Sequence, residues 1–223
     1  MIGFGQNVNI PDANFKAYLV GEPSINTNGD SEIQVSEATS FNDTIDCSNM
    51  NVYDLTGIEA FTNLTYLDCS LNDLLNINIT SNLALTSLNT SYNPLSSLDL
   101  TNNIYLEYLN CASAWWTSPL TNLDISQNIA LIDLYCHNNE LTSLDVSANS
   151  NLENLICNHN LLTNIDLTNN VLLTSLDCQF NNLSFLDVSN ATDLNFLNCS
   201  GNQLTSLDIS ANISLTDLWC GEN

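Results

Sequence analysis

Cysteine recurs at positions 136, 157, 178, 199 and 220, one every 21 residues, and the leucines at 131, 152, 173, 194 and 215 keep the same interval. A fixed period in this range is the mark of one small structural unit stacked on itself. A unit of this size cannot bury its own apolar side chains, but neighbouring units can bury each other's. The chain is therefore expected to be an elongated solenoid. A scaffold of this kind presents a surface, so function has to be sought on that surface and not in the fold.

The unit opens as Leu173-Thr-Ser-Leu176-Asp-Cys178-Gln-Phe-Asn181-Asn-Leu183 and repeats the idea in Leu183-Ser-Phe-Leu186-Asp-Val188-Ser-Asn-Ala191. Each half alternates apolar and polar residues, as a half-buried strand does. Units from Leu64, Leu85 and Leu106 follow the same template, and the stretch holding Cys47 is a degenerate first copy. The pattern LxxLxCxxNxL followed by LxxLDL resembles the nested, IRREKO-type leucine-rich repeats of bacteria, over residues 44–223. That resemblance implies a β-rich solenoid: a right-handed coil with a parallel concave sheet and short extended segments on the convex side. Residues 1–43 do not fit the repeat and are expected to form an N-terminal cap, with residues 44–223 making about eight to nine coils. The chain stops at Asn223 midway through a unit, so the solenoid is expected to be C-terminally incomplete.

Fixed columns have structural explanations. Asparagines at 72, 93, 139, 160, 181, 202 and 223, and again at 82, 103, 128, 149, 170 and 212, are placed to satisfy backbone groups at the corners of the coils. All eight cysteines (47, 69, 111, 136, 157, 178, 199, 220) fall in one inward position, with Thr90 in the coil that lacks one. In-register parallel neighbours point the same way, which is poor geometry for disulfides. The expectation is a buried ladder of free thiols. No CxxC pair is present, and His137 and His159 should face away from the sulfurs, so zinc is not served.

Charge narrows the partner classes. The net charge is −24, and Lys16 is the only Lys or Arg. Capture of nucleic acid or of an anionic membrane needs basic residues to neutralise phosphate, so neither partner is expected. No apolar run is long enough to span a bilayer.

In the cap, Asp12 to Val20 reads as a short helix. It is followed by Asn26-Thr-Asn28-Gly-Asp30-Ser-Glu32-Ile33-Gln34-Val-Ser-Glu37. Asn26, Asn28, Asp30 and Glu37 take the side-chain ligand positions of an EF-hand loop, with Glu32 offering its carbonyl. One Ca2+ is the expected cofactor, although Asn26 replaces the usual first Asp and Ser31 stands where the turn favours Gly. The stretch from Val8 to Leu19, this loop, and Leu55-Thr-Gly-Ile-Glu-Ala-Phe61 look like the N-terminal cap of secreted bacterial repeat proteins. Such relatives carry a removable secretion signal and a C-terminal anchoring domain; neither is present here. The resemblance implies a secreted or cell-surface location.

Three features are not dictated by the repeat. The unit from Leu106 is 25 residues long, with its extra residues around Trp115 and Trp116. Insertions loop out of one face of a solenoid, and exposed Trp gives binding sites large, rigid contact area. Outward strand positions carry Tyr66, Tyr108, Tyr135, Phe196 and Trp219 among Asp and Asn, a mixture suited to a protein or a polysaccharide. A column of Asp99, Asp124, Asp145, Asp166, Asp187 and Asp208, each followed two residues later by Ser or Thr, is assigned to the turns of the convex side. No nucleophile elbow, phosphate loop or triad is legible, so no enzyme is expected. The function expected is a binding or adhesion module acting through its concave face and Trp loop. Ice binding through Thr121, Thr142, Thr163 and Thr205 is the alternative, with a carbohydrate-active enzyme fragment behind it.

Overall fold

The computed structural model describes residues 5–114 and 119–223. Nine strands form one parallel sheet in sequence order: β1 (Thr44–Asp46), β2 (Tyr66–Asp68), β3 (Ser87–Asn89), β4 (Tyr108–Asn110), β5 (Asp133–Tyr135), β6 (Asn154–Ile156), β7 (Ser175–Asp177), β8 (Phe196–Asn198) and β9 (Asp217–Trp219). The fold is the β-solenoid that the repeat requires. Pairing is in register throughout: Leu67, Leu88, Leu109, Leu134, Leu155, Leu176, Leu197 and Leu218 face their counterparts strand to strand. Side chains alternate across a strand, so the middle residue is buried and the first and third lie on the open face.

Inward columns of Leu, Ile, Val and Cys form a continuous core. The cysteines are all free; seven are buried and Cys220 is exposed. The buried ladder therefore holds for seven positions, and Cys220 departs from it because no later coil of this chain covers the ninth.

The two half-repeats look alike in sequence but differ in structure. Only the first pairs into the sheet. In the second, stacking relies on single backbone bonds, such as Leu161 N–H to Leu141 O at 2.9 Å, and on asparagine side chains. Asn160 Nδ2 donates to the carbonyls of Cys136 and Cys157, both at 3.0 Å, while its Oδ1 accepts the Leu141 N–H at 3.0 Å. The other asparagine column behaves differently: Asn149 Nδ2 donates to Ile125 O and Asn128 O at 3.2 and 2.8 Å, but its buried Oδ1 has no partner.

Ahead of the sheet lie α1 (Ala13–Gly21) and α2 (Val35–Ser40). Asp12 caps α1 by accepting the N–H groups of Asn14 and Phe15, and its second oxygen accepts the Tyr53 N–H, all at 2.9 Å. Burial alone would raise the pKa of Asp12, but the N–H groups of Phe15, Tyr53 and Asn14 outweigh it and hold the value below normal. Phe15 and Leu19 turn into the core, and the Tyr18 hydroxyl accepts the N–H of Asp46 at 3.0 Å, covering the exposed edge of β1. Gly57 is required at the junction: its φ is 106°, and a Cβ there would lie 2.8 Å from Ile10 Cγ1.

Candidate functional site

The open face of the sheet has two columns. Tyr66, Tyr108, Asp133, Asn154 and Phe196 take first-strand positions, whereas Asp68, Tyr135, Ile156, Asp177 and Trp219 take third-strand positions. The aromatic residues picked out from sequence are all on this face, but they do not form one strip. Tyr108 and Tyr135 come together across the β4–β5 boundary, with ring centroids 5.5 Å apart at 41°. Phe196 and Trp219 occupy the same diagonal positions on β8 and β9, and Tyr66 stands apart on β2.

Carboxylates surround these rings. Burial raises the pKa of Tyr66, with Asp68 and Asp46 adding to the rise. Burial does the same to Tyr108 against a lowering bond from Asn110, and to Tyr135 with help from Asp133. Asp133 accepts Asn154 Nδ2 at 2.6 Å, and Asp68 accepts Asn89 Nδ2 at 2.8 Å, so neighbouring coils hold these side chains in place. Asp177 is partly buried and its pKa is raised by that burial, in spite of bonds from Gln179. Beside this face, burial and then His159 depress the pKa of His137, whose buried Nδ1 has no partner among the described residues.

Trp115 and Trp116 lie outside the described residues. The coil that carries them is regular on either side: Ser113 N–H reaches His137 O at 3.1 Å, and Leu120 N–H reaches Asn139 Oδ1 at 2.8 Å. The insertion therefore leaves from the edge of the sheet that follows the strands.

Sequence reasoning missed a second set of residues on that edge. Two positions beyond the inward cysteine, the backbone is left-handed at Leu71, Tyr92, His159 and Phe180 as well as at Asn49, Asn138 and Gly201. Asparagine and glycine recurring in this column were the available signal. Leu71, Tyr92 and Phe180 are exposed, and the His159 and Phe180 rings stack at 4.6 Å.

In the cap, Glu37 is buried and both of its oxygens serve the backbone. Oε1 accepts the N–H groups of Thr27 and Asn28 at 2.9 and 3.2 Å, and Oε2 accepts that of Gln34 at 2.9 Å. Asn26 Oδ1 accepts Gly29 N–H, Asn28 Oδ1 accepts Asp30 N–H, and Asp30 Oδ1 accepts Glu32 N–H. The side-chain amides of Asn28 and Gln34 donate to Asp30. Glu32 turns its carboxylate to Lys16 at 2.7 Å, while its carbonyl accepts a long bond from Gln34. Among the described residues no group of three or more His, Cys, Asp or Glu gathers as metal ligands.

The outward Asp column closes turns, as expected: Asp99, Asp124, Asp145, Asp166, Asp187 and Asp208 each accept the N–H two residues on, at 2.9 to 3.0 Å. Thr121, Thr142, Thr163 and Thr205 are exposed, but Leu75, Ser96 and Ser184 interrupt their column. Nothing in the structure or its relatives points to ice.

A sheet of in-register strands with asparagine-closed turns defines a leucine-rich repeat domain, and this chain is one. The family "Endo-beta-N-acetylglucosaminidase EndoS LRR domain" matches residues 31–128, less than half of the chain. Among solved structures, the functional domain of InlJ from Listeria monocytogenes, described as including a cysteine ladder, is 32% identical with a TM-score of 0.73. That match covers 97% of this chain and 52% of the other, so this chain spans about half the length of that relative. Internalin C2 of the same organism is 18% identical with a TM-score of 0.81, covering 98% and 100% of the two chains. The leucine-rich repeat ectodomain of the Arabidopsis thaliana receptor kinase GASSHO1/SCHENGEN3, solved in complex with Casparian strip integrity factor 2, is 25% identical with a TM-score of 0.67, covering 74% and 22%. No curated protein sequence matches.

Proposed function

We propose that this chain is a non-enzymatic binding module of the cell exterior that recognises a protein or a polysaccharide through the open face of its sheet. The observation that carries this is the Tyr108–Tyr135 pair, 5.5 Å apart on a face where the fold requires nothing of either side chain. Inward columns hold Leu and Cys coil after coil, whereas the open columns change from coil to coil. Aromatic rings beside Asp and Asn combine apolar area with directional hydrogen bonds. The Trp115–Trp116 insertion leaves from the adjoining edge and extends that surface. A complex between a related repeat ectodomain and Casparian strip integrity factor 2 supports a protein partner. An extracellular setting follows from the likeness of the cap to those of secreted bacterial proteins. The test is to screen the intact protein against glycan and protein arrays and to repeat any hit with Tyr108→Ala/Tyr135→Ala. Binding should fall at least about tenfold, with circular dichroism unchanged. Hits that ignore this variant place the site elsewhere.

Calcium in the cap is the second part of the proposal. Asn26, Asn28, Asp30 and Glu37 lie in one closed loop, and the amides of Asn28 and Gln34 supply the positive partial charge beside Asp30. A cation would replace those amides and bind the oxygens of Asn26, Asn28, Asp30, Glu37 and the Glu32 carbonyl.

A further inference from the structure

The left-handed column is the feature that scaffold needs explain least. In every coil the backbone at this position has φ between 51° and 64° where it is left-handed, and Asn49, Asn138 and Gly201 show which residues the turn prefers. Leucine, tyrosine and phenylalanine are strained there. Leu71, Tyr92 and Phe180 nevertheless occupy it, exposed by 53%, 40% and 43%, and so recover little from burial. Phe180 leans over Gly201 so closely that a Cβ on the glycine would stand 2.5 Å from its ring. Residues kept in a strained conformation with little packing in return are candidates for recognition. This ridge borders the open face of the sheet directly, because only the inward residue and one outward residue separate it from the end of each strand.

Charge identifies what would lie against it. The open columns carry Asp46, Asp68, Asp133, Asp177 and Asp217, and the single lysine of the chain is in the cap, paired with Glu32. Tyr108 and Tyr135 stand among these carboxylates, and an aromatic ring beside an acid is the setting that holds a guanidinium or ammonium group. We infer that the partner is a basic protein surface, whose Arg or Lys side chains enter between Tyr108, Tyr135, Asp133 and Asp177 while its aliphatic side chains lie along Leu71, Tyr92 and Phe180. This inference rests on the open face being the binding face, as proposed above, and adds the class of the partner.

The experiment selects a phage-displayed library of random dodecapeptides on the intact protein at physiological salt. Selected peptides should be enriched in Arg and Lys at least twofold over the library. Their affinity should fall at least tenfold on Tyr108→Ala/Tyr135→Ala and stay within twofold on Asp166→Asn/Asp187→Asn, which removes the same charge from the opposite side. Leu71→Asn/Tyr92→Asn should weaken binding at least threefold while leaving the melting temperature unchanged or higher, because Asn relieves the strained backbone. A drop in melting temperature for that pair would show the ridge to be packing and overturn its role. Equal loss on the two paired sets would reduce the effect to unspecific charge attraction and overturn the inference. Peptides that depend on Tyr108 and Tyr135 without basic enrichment, or glycans that do so when no peptide is selected, would leave the face as the binding face and overturn the partner class. Failure to select any peptide, with no glycan bound, would overturn both.

Discussion

Asn160 accepts the backbone N–H of Leu141, one coil earlier, at 3.0 Å, and donates from the same amide to Cys136 O and Cys157 O. Every polar atom of this buried side chain is used, whereas Asn149 in the other column leaves its Oδ1 unpaired. Removing a partner from a buried polar group costs about 1–3 kcal/mol for each group orphaned. Asn160→Ala orphans an N–H and weakens two carbonyls; Asn149→Ala also removes an oxygen that had no partner. Asn160→Ala should therefore be the more destabilising, by about 1–2 kcal/mol, in denaturant unfolding. Equal losses would mean that the two ladders support the coils alike.

The thiols give a second test. Burial, with nearby Asp46 and Asp68, pushes the Cys47 thiol up to about 12, and burial takes Cys111 and Cys157 up to about 12 as well. The thiolate is the reactive form, so at pH 8 only the exposed Cys220 should react in the native protein, and all eight after denaturation. Recovery of disulfides, or fast native reaction of several thiols, would contradict the ladder.

What could be read from the sequence was whatever the period repeats. The inward Leu and Cys, the asparagine corners and the Asp turns each recur because every coil faces the same burial problem. The sheet-forming role of only one half-repeat could not be read, since Leu183 to Val188 alternates as regularly as Leu173 to Cys178. Pairing is decided by which backbone donors remain once asparagines such as Asn181 have taken their share: its Oδ1 takes the Leu162 N–H. The Tyr108–Tyr135 contact depends on register across the long coil, where Tyr108 pairs with Asp133, 25 residues on. The left-handed ridge was signalled only by Asn and Gly in some coils, and the calcium set by spacing alone.

For the cap, the proposed calcium site predicts a rise in melting temperature through binding linkage, equivalent to about 2.7 kcal/mol at a hundredfold excess over Kd. Glu37→Ala should abolish that rise. It should also lower the melting temperature in chelator, because the N–H groups of Thr27, Asn28 and Gln34 lose their acceptor. A wild-type melting temperature indifferent to both calcium and chelator would leave the loop closed by its own hydrogen bonds.

Asp177 links stability to binding. It lies between Ile156 and Asn198 in the third-strand column, and burial raises its pKa although the Gln179 N–H pulls the other way. A carboxyl whose folded pKa lies above its unfolded value binds its proton more tightly when folded. Its ionisation therefore opposes folding, fully so well above the folded pKa, and the penalty disappears as pH falls below the unfolded value near about 3.9. Asp177→Asn retains an acceptor for the Gln179 N–H while removing the charge. It should raise the melting temperature at pH 7, and the gain should shrink on acidification and vanish near pH 3. A gain unchanged at pH 3 would assign the effect to packing instead. A carboxylate kept at a cost to folding is best explained by what it contacts from outside, so the same variant should weaken capture of basic peptides by the open face at pH 7.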